Sequence, residues 1–370
     1  MRQGGWNHSL KNTVPLQITN TYIKARKQGT ITHEFEKSSQ EDIQILQEPE
    51  DHTSEASKLL KQGVRLQQAG DLTAAMNSLQ QSLALFQALG NVLRQAQALS
   101  CLGLIAYNLG DYKSAISYSQ QCLSLVQDSG ELKIKVQVLS HLGNGYRHLG
   151  EYEKAIKFLE ECLKIAKEMQ DRRTQVAALN NLGLVHKALK NLPKAIEYQE
   201  ESLEVVRELK DNWGEEQVLK NLGNAWYGLG DYYKAIHYYE LCVTLSRSLG
   251  NHRSASQVLK NLGNACYALS DYTKAILYYE ERLELTKIIE DQRAEEQSLG
   301  SLGVACEALG DYAKAIEYYE QRLLLAKAMK DSRSEEQALA SLRVACYALG
   351  DYAKAMEYQQ QSSNSTSTSI

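Results

Sequence analysis

The chain is poor in helix breakers. It has only three prolines in 370 residues, at positions 15, 49 and 193, so long helices are permitted almost everywhere. It has no apolar run approaching the ~18 residues of a membrane span, and its N-terminus lacks the continuous apolar core of a secretory leader. Positive charge is not in excess: the net charge is −4 and the isoelectric point about 6.1, which argues against the basic field that general nucleic-acid binding requires. Phenylalanine is scarce at 3 while tyrosine reaches 22, so most aromatic packing comes with a hydroxyl. The seven cysteines include no CxxC pair, which leaves a zinc ribbon or a dithiol redox motif without its usual starting point. Phosphate loops, nucleophile elbows and catalytic triads have no counterpart either. These absences lead us to expect a cytoplasmic, non-enzymatic protein with no cofactor and no metal.

What is present is repetition. Residues 222–240 read LGNAWYGLGDYYKAIHYYE, and the pattern returns at 262–280 as LGNACYALSDYTKAILYYE and at 302–320 as LGVACEALGDYAKAIEYYE. A fixed period of this size is the signature of stacked repeats, not of two or three separate globular domains. Eight copies are expected over 51–361, the first starting near Ser54 and the last at 332 with a shortened second helix; the first and last are atypical, as terminal repeats should be. Residues 1–50 show no sustained period and are expected to be mostly disordered. Gln359-Gln360-Gln361 replaces an apolar turn, and 362–370 reads as a polar Ser/Thr-rich tail.

Inside each copy the chemistry is that of a helical hairpin. In the fifth, Leu219, Leu222, Trp226 and Leu229 form one stripe, Gly230 ends the helix, Asp231 caps the next, and Tyr232, Ala235, Ile236 and Tyr239 face back. A glycine recurs in mid-helix at 63, 103, 143, 183, 223, 263 and 303, and an alanine on the second helix at 75 and every fortieth residue to 355. Glycine there costs about 1 kcal/mol of helix propensity, so its recurrence implies close helix contact. Cys122, Cys162 and Cys242 share one repeat position and Cys266, Cys306 and Cys346 another; both sets read as small buried packing residues. Tyr118, Tyr198, Tyr238, Tyr278, Tyr318 and Tyr358 share a second-helix position and read as packing between hairpins. His186 falls on a core stripe.

Leu-Gly, an aromatic or cysteine, Gly-Asp-Tyr, Ala and Tyr-Tyr in this order resemble the tetratricopeptide repeat. The forty-residue period, the missing closing proline (Arg247 stands there in the fifth repeat) and elements such as Asp291-Gln292-Arg293 are similar to the longer subtype of LGN/Pins, rapsyn and kinesin light chain repeats. Many bacterial, notably cyanobacterial, multi-repeat proteins look like this too. The resemblance implies an all-α fold, a right-handed α-solenoid of about eight stacked antiparallel hairpins with first helices lining a concave wall. A HEAT or armadillo array is the competing fold, disfavoured by the Gly-Asp-Tyr-x-x-Ala turn.

On that geometry the residues opposite the core stripe of the first helices face a partner. They are Gln137, His141, Asn144, Arg147 and His148 in the third repeat; Asn181 and Lys187 in the fourth; Gln217, Lys220, Asn221, Asn224 and Tyr227 in the fifth; and Gln257, Lys260, Asn261, Asn264 and Tyr267 in the sixth. Asparagine pairs with peptide backbone, and the lysines and arginine add positive charge within a concavity, with Glu307 opposing them. The expected function is a protein-binding scaffold or adaptor that holds an extended acidic peptide. The alternatives are a self-associating structural array (a homo-oligomer) and the sensor half of a bacterial signalling system whose effector domain lies on another chain. Similarity to the carboxylate clamp of tetratricopeptide cochaperones is incomplete: Lys220, Asn224 and Asn261 match its first three places, but Gln297 and Ser301 leave the last two uncharged. His141 and His148 lie seven apart on one helix face without the further ligands a metal would need.

Overall fold

The computed structural model describes residues 55–367, with side chains to 362. Those residues form sixteen α-helices and, among them, no strand. The chain divides into two compact units, with the boundary between Leu125 and Val126.

The described part of the first unit contains α1 (Glu55–Gln68), α2 (Leu72–Ala88), α3 (Val92–Asn108) and most of α4 (Tyr112–Val126). Its core is built from Leu60, Val64, Leu79, Phe86, Leu102 and Ile105. The second unit holds six hairpins: α5 (Leu132–His148) with α6 (Tyr152–Glu168), α7 (Arg172–Ala188) with α8 (Leu192–Glu208), α9 (Asn212–Leu229) with α10 (Tyr232–Ser248), α11 (His252–Ala268) with α12 (Tyr272–Ile288), α13 (Gln292–Leu309) with α14 (Tyr312–Ala328), and α15 (Ser332–Leu349) with α16 (Tyr352–Ser367). Within it each helix packs on its chain neighbours, and the first helices α5, α7, α9 and α11 also touch in succession. The all-α solenoid expected from the sequence is what forms.

Two features depart from a uniform array. The repeats run without a break in sequence, yet the structure separates two units; α4 stops early, and 127–131 turns through Ser129 and Gly130, with the Ser129 hydroxyl donating to Val126 O. The last helix also runs on to Ser367 instead of stopping short. Gln359, Gln360 and Gln361 are good helix formers, and no proline or glycine follows to end the helix.

The turns explain why the hairpins repeat so faithfully. Most helices begin on an Asp or Asn whose side-chain oxygen accepts the N–H three residues on, as Asp231 does from Lys234 at 3.1 Å and Asp271 from Lys274 at 3.2 Å. This satisfies one of the orphan donors of the first turn. Helices close through a left-handed residue, Gly230 at φ 88° but Ser270 at φ 61°, with Asp231 N reaching back to Trp226 O and Asp271 N to Cys266 O.

The mid-helix glycines are where first and second helices come closest. A Cβ on Gly263 would lie 2.6 Å from Cδ1 and 2.7 Å from Cζ of Tyr279; on Gly143 it would lie 2.6 Å from Cδ2 of Leu159. The close partner is thus the side chain one turn past the recurrent alanine, which is itself fully buried, as at Ala155, Ala235 and Ala275. In the last repeat Arg343 replaces glycine and donates to Gln359. All seven cysteines are free and buried, and burial pushes the thiols of Cys122, Cys162 and Cys242 up to about 12.

Between hairpins, the tyrosines of the series from Tyr198 to Tyr358 reach the second helix of the preceding repeat. Tyr278 Oη donates to Glu240 at 2.8 Å, Tyr318 to Glu280 at 2.7 Å and Tyr358 to Glu320 at 2.8 Å. Tyr198 and Tyr238 reach Glu160 and Glu200 at 3.5 Å each. Lys314 and Lys354 join the same carboxylates at 3.2 and 2.8 Å. This is the packing role read for these tyrosines in the sequence. His186 is buried and stacked on Tyr198, with ring centroids 5.4 Å apart; desolvation lowers its pKa.

Candidate functional site

The residues singled out on first helices all lie in the second unit, on α5, α7, α9 and α11, and the structure sorts them into two groups. In the earlier repeats several are largely out of solvent. Asn144 is buried, as is His141, whose pKa burial lowers to about 4. Asn181 is buried too, its Nδ2 donating to Ala177 O at 2.9 Å, one turn back on its own helix. His141, Asn144 and Asn181 are therefore poor candidates for direct contact, a correction to the face read from spacing. Gln137 is half-buried, and Lys187 is exposed. Arg147 Nη2 lies 2.9 Å from Nε2 of the exposed His148. Desolvation, with the neighbouring Arg147 charge adding to it, lowers the His148 pKa to about 4.

On α9 and α11 the face is half-open. Gln217, Lys220, Asn221, Asn224, Tyr227, Lys260, Asn261, Asn264 and Tyr267 are each partly exposed, and Gln257 is exposed. Here the asparagines form cross-repeat links. Asn221 Nδ2 donates to Asn180 Oδ1 at 2.8 Å, which also accepts from Gln199 Nε2 at 3.1 Å. Asn261 Nδ2 donates to Asn224 Oδ1 at 3.1 Å. Beneath them, tyrosines from the second helices cross the glycine gaps: Tyr239 Oη donates to Asn224 Oδ1 at 2.8 Å, and Tyr279 Oη to Asn264 Oδ1 at 2.7 Å. The glycines at 223 and 263 thereby give buried phenols a route to the opposite face of the first helix. In the next repeat Glu307 takes the place of a neutral residue; it accepts from Tyr319 Oη at 3.0 Å, and burial raises its pKa.

This arrangement decides what the face can offer. Asn224 and Asn264 have their oxygens committed inward, so their amide N–H groups are the outward functionality, suited to peptide carbonyls. Their orientation is set by buried hydroxyls, which reduces what binding would cost in ordering side chains. Lys220 and Lys260 flank them. Tyr227 packs edge-on against Tyr232 and Tyr267 lies tilted against Tyr272, with centroids 5.2 and 5.1 Å apart. A separate open depression of about 560 Å³ lies on the second-helix side, lined by Leu277, Glu280, Glu281, Glu284, Lys287 and Tyr318 among others. Its chemistry is acidic, and it shares nothing with the asparagine face.

Spacing did not single out Arg282 and Arg322 on the second helices. Each guanidinium reaches the first-helix side and bonds a glutamine there, Arg282 to Gln297 at 3.3 Å and Arg322 to Gln337 at 3.0 Å. The signal was present in the alignment of copies, where the residue at 82, 122, 162, 202 and 242 is Ser or Cys and then becomes Arg at 282 and 322.

Comparison with known proteins agrees with the hairpin geometry. No individual curated protein matches the chain in sequence. Among solved structures, a signal transduction ATPase with a tetratricopeptide repeat sensor from Pyrococcus horikoshii superposes with TM-score 0.62 at 18% identity, over 79% of this chain and 45% of that one, so this chain spans less than half of that protein. The apo quorum sensor NprR from B. thuringiensis matches with TM-score 0.57 at 14% identity, over 94% and 99% of the two chains. A Rap protein in complex with Competence and Sporulation Factor gives 0.51 at 17%, over 90% and 92%. At these identities the likeness is one of fold. Family profiles described as Tetratricopeptide repeat match residues 60–122, 94–168, 176–209, 214–288 and 298–333, together well over half of the chain. The chain belongs to the tetratricopeptide repeat family, whose repeats are protein-binding scaffolds.

Proposed function

We propose that this chain is a non-catalytic adaptor that holds an extended acidic polypeptide segment against the first-helix face of the fifth and sixth repeats. The observation that carries this reading is the paired commitment of Asn224 and Asn264 to buried tyrosines at 2.8 and 2.7 Å, which leaves two fixed N–H donors one repeat apart beside Lys220 and Lys260. Extended peptide presents carbonyls that accept from such donors, and its acidic side chains meet the lysines. The fold shared with a Rap protein complexed with Competence and Sporulation Factor and with a quorum sensor is in keeping with a binding role. A second reading, the sensor part of a signalling system with its effector on another chain, draws support from the likeness to the repeat sensor of the signal transduction ATPase.

The test uses the full chain and a pool of fluorescein-labelled octapeptides, capped at both ends and rich in Asp and Glu. Asn224→Asp with Asn264→Asp keeps an acceptor for each tyrosine hydroxyl but replaces the outward donor with negative charge. Retention of the pool should fall at least tenfold at low salt in this variant and recover only in part as salt screens the repulsion. Retention equal to wild type would mean that peptides bind elsewhere; light scattering against concentration would then decide for self-association.

A further inference from the structure

One position changes character along the array. At 82, 122, 162 and 242 a buried hydroxyl or thiol donates to the carbonyl 26 residues earlier: Ser82 to Ala56 at 2.8 Å, Cys122 to Ala96 at 3.1 Å, Cys162 to Val136 at 3.4 Å and Cys242 to Glu216 at 3.3 Å. In α12 and α14 the same position is arginine. Arg322 is neutralised within the fold, because 26 residues before it stands Glu296, whose Oε1 accepts from Arg322 Nε at 2.6 Å with both side chains largely buried. Arg282 has no such partner. The residue 26 before it is Ser256, and Arg282 is only 3% exposed. Its Nη2 reaches Gln297 Oε1 at 3.3 Å, while its Nε and Nη1 are buried without a hydrogen bond.

A second cation converges on the same atom. Lys260 Nζ donates to Gln297 Oε1 at 3.3 Å, at a position where the next repeat has Gly300. Two positive groups therefore share one neutral oxygen. Their pKa values are both depressed by burial, and that of Lys260 also by the Arg282 charge. The carboxylate whose field Arg282 feels is Asp291. That group caps α13 by accepting from Ala294 N at 3.0 Å, and it forms no ion pair with Arg282 among the described residues. The fifth and seventh repeats balance their charge at these three positions, with Lys220, Glu216 and Cys242 in one and Gly300, Glu296 and Arg322 in the other. The sixth alone has Lys260, Ser256 and Arg282, and its opening is solvent-accessible because Gln297 is exposed.

A guanidinium removed from water is costly unless an anion pairs with it. We infer that the sixth repeat is a carboxylate-recognition position, where an Asp or Glu side chain of the bound polypeptide enters beside Gln297 and pairs with Lys260 and Arg282 as Glu296 pairs with Arg322. A planar carboxylate fits the guanidinium fork, and the sister site in the seventh repeat is already filled by one. The inference rests on the proposed peptide face and assigns it an anchor.

Ser256→Glu provides the test, because Glu216 and Glu296 show that a glutamate is accommodated at this position. The full chain, Ser256→Glu and Arg282→Met are each titrated with two pools of capped, fluorescein-labelled octapeptides that differ only in a fixed central Glu or Gln. Wild type should retain the Glu pool about tenfold more than the Gln pool, the scale of one charge-assisted contact, and both variants should lose that preference. Without any peptide, Ser256→Glu should melt higher than wild type. A Glu preference that survives both variants, or a Ser256→Glu that melts no higher, overturns the site. Preference for a third pool, with a free C-terminal carboxylate and no acidic side chain, overturns the side-chain source in favour of a chain terminus. Displacement by inorganic phosphate as effective as by capped glutamate overturns carboxylate selectivity. Equal retention of Glu and Gln pools defeats the anchor and leaves the peptide face standing, whereas retention of neither defeats both.

Discussion

Gly263→Ala separates packing from propensity. Alanine gains about 1 kcal/mol over glycine in an exposed helix interior, so a sequence-only view expects stabilisation. In the structure the new methyl would sit 2.6 and 2.7 Å from two carbons of the Tyr279 ring, well short of the roughly 3.5–4.0 Å optimum for carbon–carbon contact. The ring is only 3% exposed and is held at its far end by the 2.7 Å bond to Asn264, so it cannot swing away without giving up that bond. Overpacking of this kind costs about 1–3 kcal/mol, and a lost neutral hydrogen bond about 0.5–1.5 kcal/mol. Set against the propensity gain, the net expectation is a destabilisation of about 2 kcal/mol. Urea denaturation measures the total. Amide exchange should place the loss in α11, α12 and the hairpins beside them, because repeats couple to their neighbours. In the double variant Gly263→Ala with Tyr279→Ala the methyl has nothing to strike, so the double loss should be smaller than the sum of the single losses. A Gly263→Ala protein more stable than wild type would refute the reasoning.

Two other expectations follow from local features. Ser270 occupies the left-handed turn position at φ 61° that Gly230 and Gly310 fill elsewhere; Ser270→Gly should raise stability by about 1 kcal/mol in chemical denaturation, the scale of left-handed strain in an L-residue, and a loss instead would show that the hydroxyl matters more than the strain. His141 is buried with its pKa lowered from 6.5 to about 4, so the unfolded chain binds the proton more readily. The stabilisation is complete above about pH 6.5 and is lost as pH falls toward 4, in total about 3 kcal/mol at 1.36 kcal/mol per unit; His141→Gln should remove that part of the acid sensitivity, and an unchanged pH profile would contradict the burial.

The hairpins, most of their caps and the tyrosine pairing between second helices were legible because each is a pattern that recurs with the period: Asp231-Tyr232 opens a helix by chemistry contained within four residues, and a tyrosine holds the same second-helix place in six of the copies. What was not legible depends on how far a neighbouring helix reaches. A helical wheel places His141, Asn181 and Asn221 on one face, but only the packing of the adjacent helices leaves the first two buried and the third half-open. Left-handed turns at Gln170, Lys210 and Glu290 carry no glycine and could be found only through the period. Arg282 escaped notice because its significance lies in what Ser256 lacks, a relation across 26 residues and two helices. The boundary after Leu125 was hidden for the opposite reason: the repeat pattern continues across it.

The tyrosine–glutamate joints between second helices give the array a property no single hairpin has. From Tyr198 onward each joint uses a tyrosine and a glutamate 38 residues earlier, as Tyr278 does with Glu240 and Tyr318 with Glu280. Excising one forty-residue unit from the middle would therefore bring Tyr318 to Glu240 and rebuild the same bond, and inserting one would add an identical rung. Length is consequently a variable that duplication and deletion can change in whole units, each new junction arriving already complementary, while the charge of an individual repeat is free to diverge for whatever it holds.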